Sequence, residues 1–160
     1  MSENHNYCHS LVKYFRRKSS IVHIGNIPLG GDHPIRIQSM TTTDTMDTVS
    51  TVEQSIRMIE AGSEYVRITA PGIKEARNLE NIKNGLIKAG HDVPIIADIH
   101  FTPNAAIEAA QIVEKIRINP GNFVDRKNFQ HIEYTDASYD DELGRIHNKF
   151  IPLIKICQEN

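Results

Sequence analysis

Residues 94–122, PIIADIHFTPNAAIEAAQIVEKIRINPGN, predict a strand, a helix and a second strand in succession. The run at 94–100 is short, apolar and bounded by prolines, which suits a buried parallel strand. Thr102 and Pro103 then predict a helix start, with threonine as the N-cap and proline at the first helical position. Residues 115–119 form the second predicted strand, which a Pro-Gly pair ends. The stretch is therefore a βαβ unit.

Side-chain alternation places the polar residues of these two strands on one face. Asp98 and His100 share a face of the first strand, and Arg117 and Asn119 share a face of the second. The opposite faces carry isoleucine and alanine, which can pack on helices. Because the strands are parallel, the four polar residues meet at the carboxyl ends, where α/β barrels and open α/β sheets place their sites.

The same alternation extends upstream to two further predicted strands. Residues 65–69 place Arg67 and Thr69 on one face, and residues 35–40 place Gln38 on one face with isoleucine on the other. In all four strands the polar side chains point to the same face of the sheet. This predicts a common lumen with a binding site at its mouth. The alternative interpretation is that an Asp–Arg pair inside the lumen is purely architectural.

Helical periodicity separates these strands. Ser50 and Glu53 fit a capping box at the start of the first helix, and residues 73–89 form a long amphipathic helix. A last helical pattern runs from Ser138 towards the chain end. Pro152 lies inside this pattern and is expected to kink the helix or split it in two.

Four strands alternating with four helices predict an α/β fold, the N-terminal half of a TIM (β/α)8 barrel. Residues 20–160 are assigned to this barrel part and residues 1–19 to a polar, partly disordered arm. Residues 28–32 are expected to form a turn between an entry strand at 21–27 and the first barrel strand. Because a complete barrel needs eight units, the chain is expected to be a piece of a longer enzyme. The apolar side chains on the other face of these strands are expected to face the helices. They are Ile37, Val66, Ile68, Ala97, Ile99, Ile116 and Ile118.

Composition excludes several classes of function. A net charge of −2 argues against a general nucleic-acid binder, and no apolar run is long enough to span a membrane. The first residues lack the apolar core of a signal peptide. Cys8 and Cys157 lie near opposite ends and give neither metal-site spacing nor a disulfide framework. These features predict a cytoplasmic protein with inert cysteines, no metal site within the chain, and no nucleic-acid or membrane partner.

Three motifs in order resemble the 4-hydroxy-3-methylbut-2-enyl diphosphate synthase family. They are QSMT at 38–41, ADIHF at 97–101 and RINPGN at 117–122, and the resemblance runs over residues 24–122. The loop TTTDTMDT at 41–48 departs from the family pattern, which has asparagine at its second or third position. The long segment after the third motif resembles the larger form of the family, which carries an extra domain between barrel and cluster domain.

The resemblance implies an iron–sulfur reductase of the methylerythritol phosphate route to isoprenoids. Its substrate would be 2-C-methyl-D-erythritol 2,4-cyclodiphosphate, whose ring opens reductively with loss of water. In the family a separate C-terminal domain holds a [4Fe–4S] cluster through three cysteines and a glutamate, and these ligands are absent from this sequence. A ferredoxin or flavodoxin is the implied electron donor. The chain is therefore expected to bind this substrate without turning it over.

The resemblance places Arg67, Asp98, His100 and Arg117 on substrate-binding positions of the family. With Asn119 and Gln38, which share their parity, these four residues complete the predicted substrate-binding set. The planar donor forks of the arginines suit a diphosphate, and His100 adds a donor near neutral pH. Asp98 has the wrong sign for phosphate, so it would orient an arginine, accept from a hydroxyl or move a proton. No residue is assigned as catalytic.

Two other functions compete with this hypothesis. A pterin-binding barrel of the dihydropteroate synthase type would share the polar strand ends, although it would not explain ADIHF and RINPGN together. A non-catalytic half barrel that serves as an assembly module is the second alternative. In any of these cases the open sheet edges of a half barrel predict self-association of the chain.

Overall fold

The computed structural model describes residues 10, 12–13, 18–124 and 133–159. Most of the predicted arm at 1–19 lies outside these residues. A four-stranded parallel sheet has the sequential order β3-β4-β5-β6 and confirms the half-barrel prediction. Its strands are β3 (Gln38–Met40), β4 (Tyr65–Thr69), β5 (Ile95–Ile99) and β6 (Lys115–Ile118).

The helices follow these strands in the order expected of repeated βα units. They are α1 (Thr48–Glu60), α2 (Ile73–Lys88), α3 (Pro103–Ala110), the short α4 (Pro120–Phe123) and α5 (Asp136–Glu159). Helices α1, α2 and α3 connect successive strands and pack side by side, and α5 packs on α3. None of the helices formed by the described residues combines the length and the apolar character that a membrane span requires.

The apolar face of the sheet packs against the helices as predicted. Helix α2 supplies Leu79, Ile82 and Leu86, which are almost completely shielded from solvent. The sheet contributes the predicted Val66, Ile68, Ala97, Ile99, Ile116 and Ile118 to the same core. Burial of these side chains is the main favourable term in the folding of the sheet, since each fully buried aliphatic residue contributes roughly 1.5–3 kcal/mol.

Ile37 is the exception, and the prediction that it faces the helices is wrong. Its side chain is 59% exposed, and β3 begins only at Gln38. The Ile37 carbonyl accepts hydrogen bonds from the backbone N–H groups of Glu64 and Tyr65. The Glu64 carboxylate accepts from the Ile37 N–H and pairs with Arg36, and these two contacts, in that order, lower its pKa. The segment before β3 is therefore held through backbone and charge rather than through apolar packing.

An antiparallel hairpin precedes the barrel strands, where a single entry strand and a turn at 28–32 were expected. Its strands are β1 (Val22–Ile24) and β2 (Ile27–Leu29). Gly25, with φ of +56°, provides the tight turn, because the left-handed region is open to glycine. Ile24 is buried against Tyr65 and Ile96, which face the lumen at the amino ends of β4 and β5. The hairpin therefore closes the lumen at the end opposite the predicted site.

The predicted cap of α1 is corrected, and the predicted split of the last helix is not observed. Helix α1 is capped by Asp47, whose side chain accepts from the Ser50 N–H at 3.1 Å, so the Ser50–Glu53 capping box is wrong. The hydrogen bonds from Ser50 hold the pKa of Asp47 below its usual range. Helix α5 begins at Asp136 and continues through Pro152 to Glu159, so the proline does not split it, and a kink at Pro152 stays a prediction.

Replacing Ile82 by alanine should destabilise the fold by about 2–5 kcal/mol, because it leaves a cavity between α2 and the sheet. Ile87→Ala is the matched control, since Ile87 lies on the same helix and is 51% exposed. The control should change the free energy of unfolding by no more than about 0.5 kcal/mol. Urea denaturation followed by circular dichroism measures both, and equal losses would contradict the assigned core.

Self-association of the 160-residue chain remains a prediction, and it rests on the two outer strands of the sheet. Among the described residues, β3 pairs only with β4 and β6 only with β5, which leaves open backbone groups on both edges. The expected result is a sedimentation coefficient that rises with protein concentration. A stable monomer at high concentration would contradict it.

Candidate functional site

The site lies on the lumen face of β4, β5 and β6 near the carboxyl ends of the strands. Arg67 is the central residue of β4, Asp98 the fourth residue of β5 and Arg117 the third residue of β6. Strand register pairs Asp98 with Arg117 on one side and with Thr69 on the other. Because alternate residues share a face, this register brings both arginines to the same carboxylate.

Asp98 is the centre of the cluster and is only 2% exposed. Its Oδ2 accepts from Arg67 Nε at 3.0 Å and also contacts Arg67 Nη2. Its Oδ1 accepts from Arg117 Nη1 at 3.0 Å. A buried carboxylate needs such partners, because an unpaired buried charge is strongly destabilising. Two guanidinium groups on one carboxylate leave an excess of one positive charge.

His100 extends this cluster towards the mouth of the lumen. Its Nε2 lies 2.7 Å from Arg117 Nη1. Since arginine can only donate, Nε2 must accept, and the ring proton of the neutral imidazole is therefore on Nδ1. Nδ1 lies 3.6 Å from Asp98 Oδ1, on the side of the carboxylate. The ring also contacts Phe101, with 5.7 Å between the ring centroids.

The arginines remain partly accessible although their carboxylate is buried. The side chain of Arg67 is 25% exposed and that of Arg117 is 39% exposed. Their common partner fixes the orientation of both planar forks. Fixed guanidinium groups with a net positive charge at the end of a parallel sheet are suited to binding a phosphate or diphosphate group.

Gln38 is not brought into the cluster. Gln38 is exposed and lies in register with Tyr65, whereas Met40 is the residue of β3 in register with Arg67. Gln38 is thus one side-chain layer further from the mouth. The Asn119 carbonyl accepts from the N–H groups of Asn122 and Phe123 in α4, which supports the turn role that its motif suggests. Substrate binding by these two residues stays a prediction.

Sequence analysis missed a hydrogen-bonded network around the loop at 41–48. Thr45 Oγ1 donates to the Thr69 carbonyl at 2.6 Å, and Asn78 Nδ2 donates to the Thr45 carbonyl at 2.7 Å. Asn78 belongs to α2 and is 9% exposed. One sequence feature could have pointed to Asn78. It is a polar residue at the edge of an apolar helical stripe, beside Leu79 and four residues before Ile82.

The described residues do not offer a ligand set for the expected iron–sulfur cluster. Within residues 18–124 and 133–159 no three or more His, Cys, Asp or Glu side chains are grouped so that they could hold a metal ion. Cys157 is exposed, and Cys8 lies outside the described residues. Asp98 and His100 instead belong to the arginine cluster.

Comparison with known proteins gives a consistent result. The model of the GcpE TIM-barrel domain family matches residues 19–150. A 4-hydroxy-3-methylbut-2-en-1-yl diphosphate synthase (flavodoxin) of Bacteroides thetaiotaomicron is 56% identical over 151 residues, which cover 94% of this chain and 25% of that protein. The corresponding flavodoxin protein of Akkermansia muciniphila is 53% identical over 154 residues, or 96% of this chain and 26% of the relative.

A plant relative extends the comparison. The chloroplastic 4-hydroxy-3-methylbut-2-en-1-yl diphosphate synthase (ferredoxin) of Oryza sativa subsp. japonica is 47% identical over 154 residues, which cover 96% of this chain and 21% of that protein. The chain therefore spans about a quarter of the length of the curated relatives it matches.

These comparisons confirm the family resemblance and correct the predicted function. The relatives are named as synthases, for the diphosphate that they make, where the sequence prediction has a reductase. The two alternatives, a pterin-binding barrel and a non-catalytic assembly module, are not supported, since the matched family and relatives belong to the diphosphate synthases.

Replacing Asp98 by asparagine should destabilise the chain, because it leaves two neighbouring guanidinium groups without their carboxylate. Loss of one partner of a fully buried pair costs 3–5 kcal/mol, and the partial exposure of both arginines lowers the expected cost to about 2–3 kcal/mol. Asp92→Asn, at an exposed position before β5, should cost no more than about 0.5 kcal/mol. Thermal denaturation of both variants measures the difference, and equal melting temperatures would show that the pairing of Asp98 contributes nothing.

Proposed function

Because this chain belongs to the GcpE TIM-barrel domain family, we propose that it supplies the substrate-binding barrel part of a 4-hydroxy-3-methylbut-2-en-1-yl diphosphate synthase. The proposed substrate is 2-C-methyl-D-erythritol 2,4-cyclodiphosphate, and its diphosphate is the group that this part of the barrel recognises. Recognition takes place at the carboxyl ends of β4, β5 and β6.

The observation that carries the proposal is the shared carboxylate of Asp98. Its two oxygens are hydrogen-bonded to different arginines, Arg67 and Arg117, so both forks are fixed before a ligand arrives. Fixed donors lose little conformational entropy on binding, which favours affinity and correct placement. An excess of one positive charge supplies electrostatic attraction for the diphosphate.

His100 is proposed to line the same site through its position beside Arg117. Its Nε2 accepts from Arg117 Nη1 at 2.7 Å. A diphosphate oxygen that takes over this arginine N–H would release the imidazole. Gln38 and Asn119 are kept as proposed members of the substrate site on strand parity alone.

The electron chemistry of the whole enzyme is assigned outside the described part of this chain. The relatives are named for flavodoxin or ferredoxin, and we propose a protein of one of these two classes as the electron donor. In the whole enzyme a [4Fe–4S] cluster, held by ligands outside the described residues, would supply the electron-transfer chemistry. The residues described here bind and orient the diphosphate and hold no ligand set for the cluster. A cytoplasmic location stays a prediction.

Replacing either Arg67 or Arg117 by alanine should weaken diphosphate binding by about 1.5–3 kcal/mol, the range for hydrogen bonds to charged groups. Lysine at either position should restore only part of the affinity, because it keeps the charge and loses the planar fork. Calorimetric titration of the cyclic diphosphate into the 160-residue chain and its variants measures the effect.

Arg77→Ala is the matched control for this titration. Arg77 is an arginine on α2 whose side chain is 67% exposed and pairs with Glu108, away from the cluster. Its replacement should leave diphosphate affinity unchanged. If Arg67→Ala and Arg117→Ala bind the cyclic diphosphate as tightly as the wild type, both arginines are architectural and the proposed site is wrong.

A further inference from the structure

The mouth loop, residues 41–47, connects β3 to α1 and is anchored on β4. The Thr41 N–H donates to the Arg67 carbonyl at 3.0 Å. The Thr45 hydroxyl donates to the Thr69 carbonyl at 2.6 Å. Both acceptors belong to the strand that carries the first arginine of the site, so the position of the mouth loop and the end of β4 are coupled.

Asn78 holds the mouth loop from the opposite side. Its Nδ2 donates to the Thr45 carbonyl at 2.7 Å and to Thr48 Oγ1 at 2.9 Å, while its Oδ1 accepts from Asn81 Nδ2 at 2.9 Å. Both Nδ2 protons are thus engaged with the loop or the start of α1. A chain of hydrogen bonds therefore runs from α2 through Thr45 to Thr69.

Packing alone does not account for an asparagine at this position. Burial of an amide is unfavourable unless its donors and acceptors are paired, whereas an apolar residue would extend the stripe of α2 at no such cost. The amide of Asn78 instead donates to the backbone carbonyl of Thr45, which lies in the loop that follows β3. Gln54 pairs backbone groups at the start of the loop as an acceptor. Its Oε1 accepts from the N–H groups of Thr42 and Thr43 at 3.0 and 3.2 Å.

We propose that Asn78 is a positioning residue of the diphosphate site, acting through Thr45 on the end of β4 that bears Arg67. This inference rests on the proposed function of the arginine cluster. Asn78 does not belong to the cluster; it fixes the Thr45 backbone, and the Thr45 hydroxyl then fixes the carboxyl end of β4. A small displacement of this strand end changes where the Arg67 fork points, and binding by a fixed fork is sensitive to such displacements.

Asn78→Asp tests the proposal with a change of almost no volume, because the carboxylate oxygen cannot donate to the Thr45 carbonyl. Asn84→Asp is the matched control, since it makes the same chemical change at an exposed position of the same helix. We expect the Arg67 Nε–H resonance to shift in ligand-free Asn78→Asp and to stay unchanged in Asn84→Asp. Calorimetric affinity for inorganic diphosphate should fall about tenfold in the first variant only.

Thr45 variants test the path of the effect. Thr45→Val removes the hydroxyl at nearly constant volume and should reproduce both the resonance shift and the loss of affinity, whereas Thr45→Ser keeps the hydroxyl and should lose little. Because the two residues act in series, the double variant Asn78→Asp/Thr45→Val should bind about as weakly as either single variant. These measurements separate positioning from general destabilisation. A general destabilisation would lower the melting temperature, but it would not weaken binding in Thr45→Val, spare it in Thr45→Ser and add nothing in the double variant.

The two arms of the experiment also separate this inference from the proposed function. If the wild-type chain does not bind inorganic diphosphate, the proposed function fails, and the Arg67 resonance still decides whether Asn78 positions that residue. If the wild type binds and Asn78→Asp binds equally well with an unchanged Arg67 resonance, the positioning role is overturned. Additive losses in the double variant would overturn the path through Thr45.

Discussion

The carboxylate of Asp98 is the contact on which the candidate site depends. A charge that is 2% exposed is tolerated only when it is paired, and here each oxygen has its own guanidinium partner. The pairing joins three neighbouring strands through side chains, in addition to the backbone ladder between them. The same contact fixes the direction of both arginine forks. Architecture and binding therefore do not exclude each other at this cluster, as the two interpretations of the sequence had assumed.

Several features were predictable because a local period determines them. Strands β4, β5 and β6 are short, bounded by turn residues and apolar on one parity, so both their positions and their inward face follow from the sequence. Once these strands are parallel and sequential, Arg67, Asp98 and Arg117 must meet. Ile37 was misplaced because alternation assigns a face but cannot show that β3 begins only at Gln38, three residues after the predicted start, nor that no described helix covers Ile37.

The remaining errors and omissions come from contacts that have no sequence period. The cap of α1 went to Asp47 rather than Ser50 because both residues suit an N-cap, and only the path of the loop selects one. The hairpin at Gly25 is set by the burial of Ile24 against Tyr65 and Ile96, which are distant in sequence. Asn78 donates to a residue 33 positions earlier. Such pairings depend on the assembled fold, so propensity and spacing cannot reveal them.

Three alternate residues of β4, namely Tyr65, Arg67 and Thr69, make these contacts in succession along the strand. Tyr65 packs with Ile24 of the hairpin and helps to close the amino end of the lumen. Arg67 pairs with Asp98 in the middle of the strand, and the Thr69 carbonyl anchors the mouth loop at the carboxyl end. Because these layers belong to one short strand, a shift at either end displaces the arginine between them. The apolar hairpin at one end of β4 and the hydrogen-bonded loop at the other therefore act together to fix the position of Arg67.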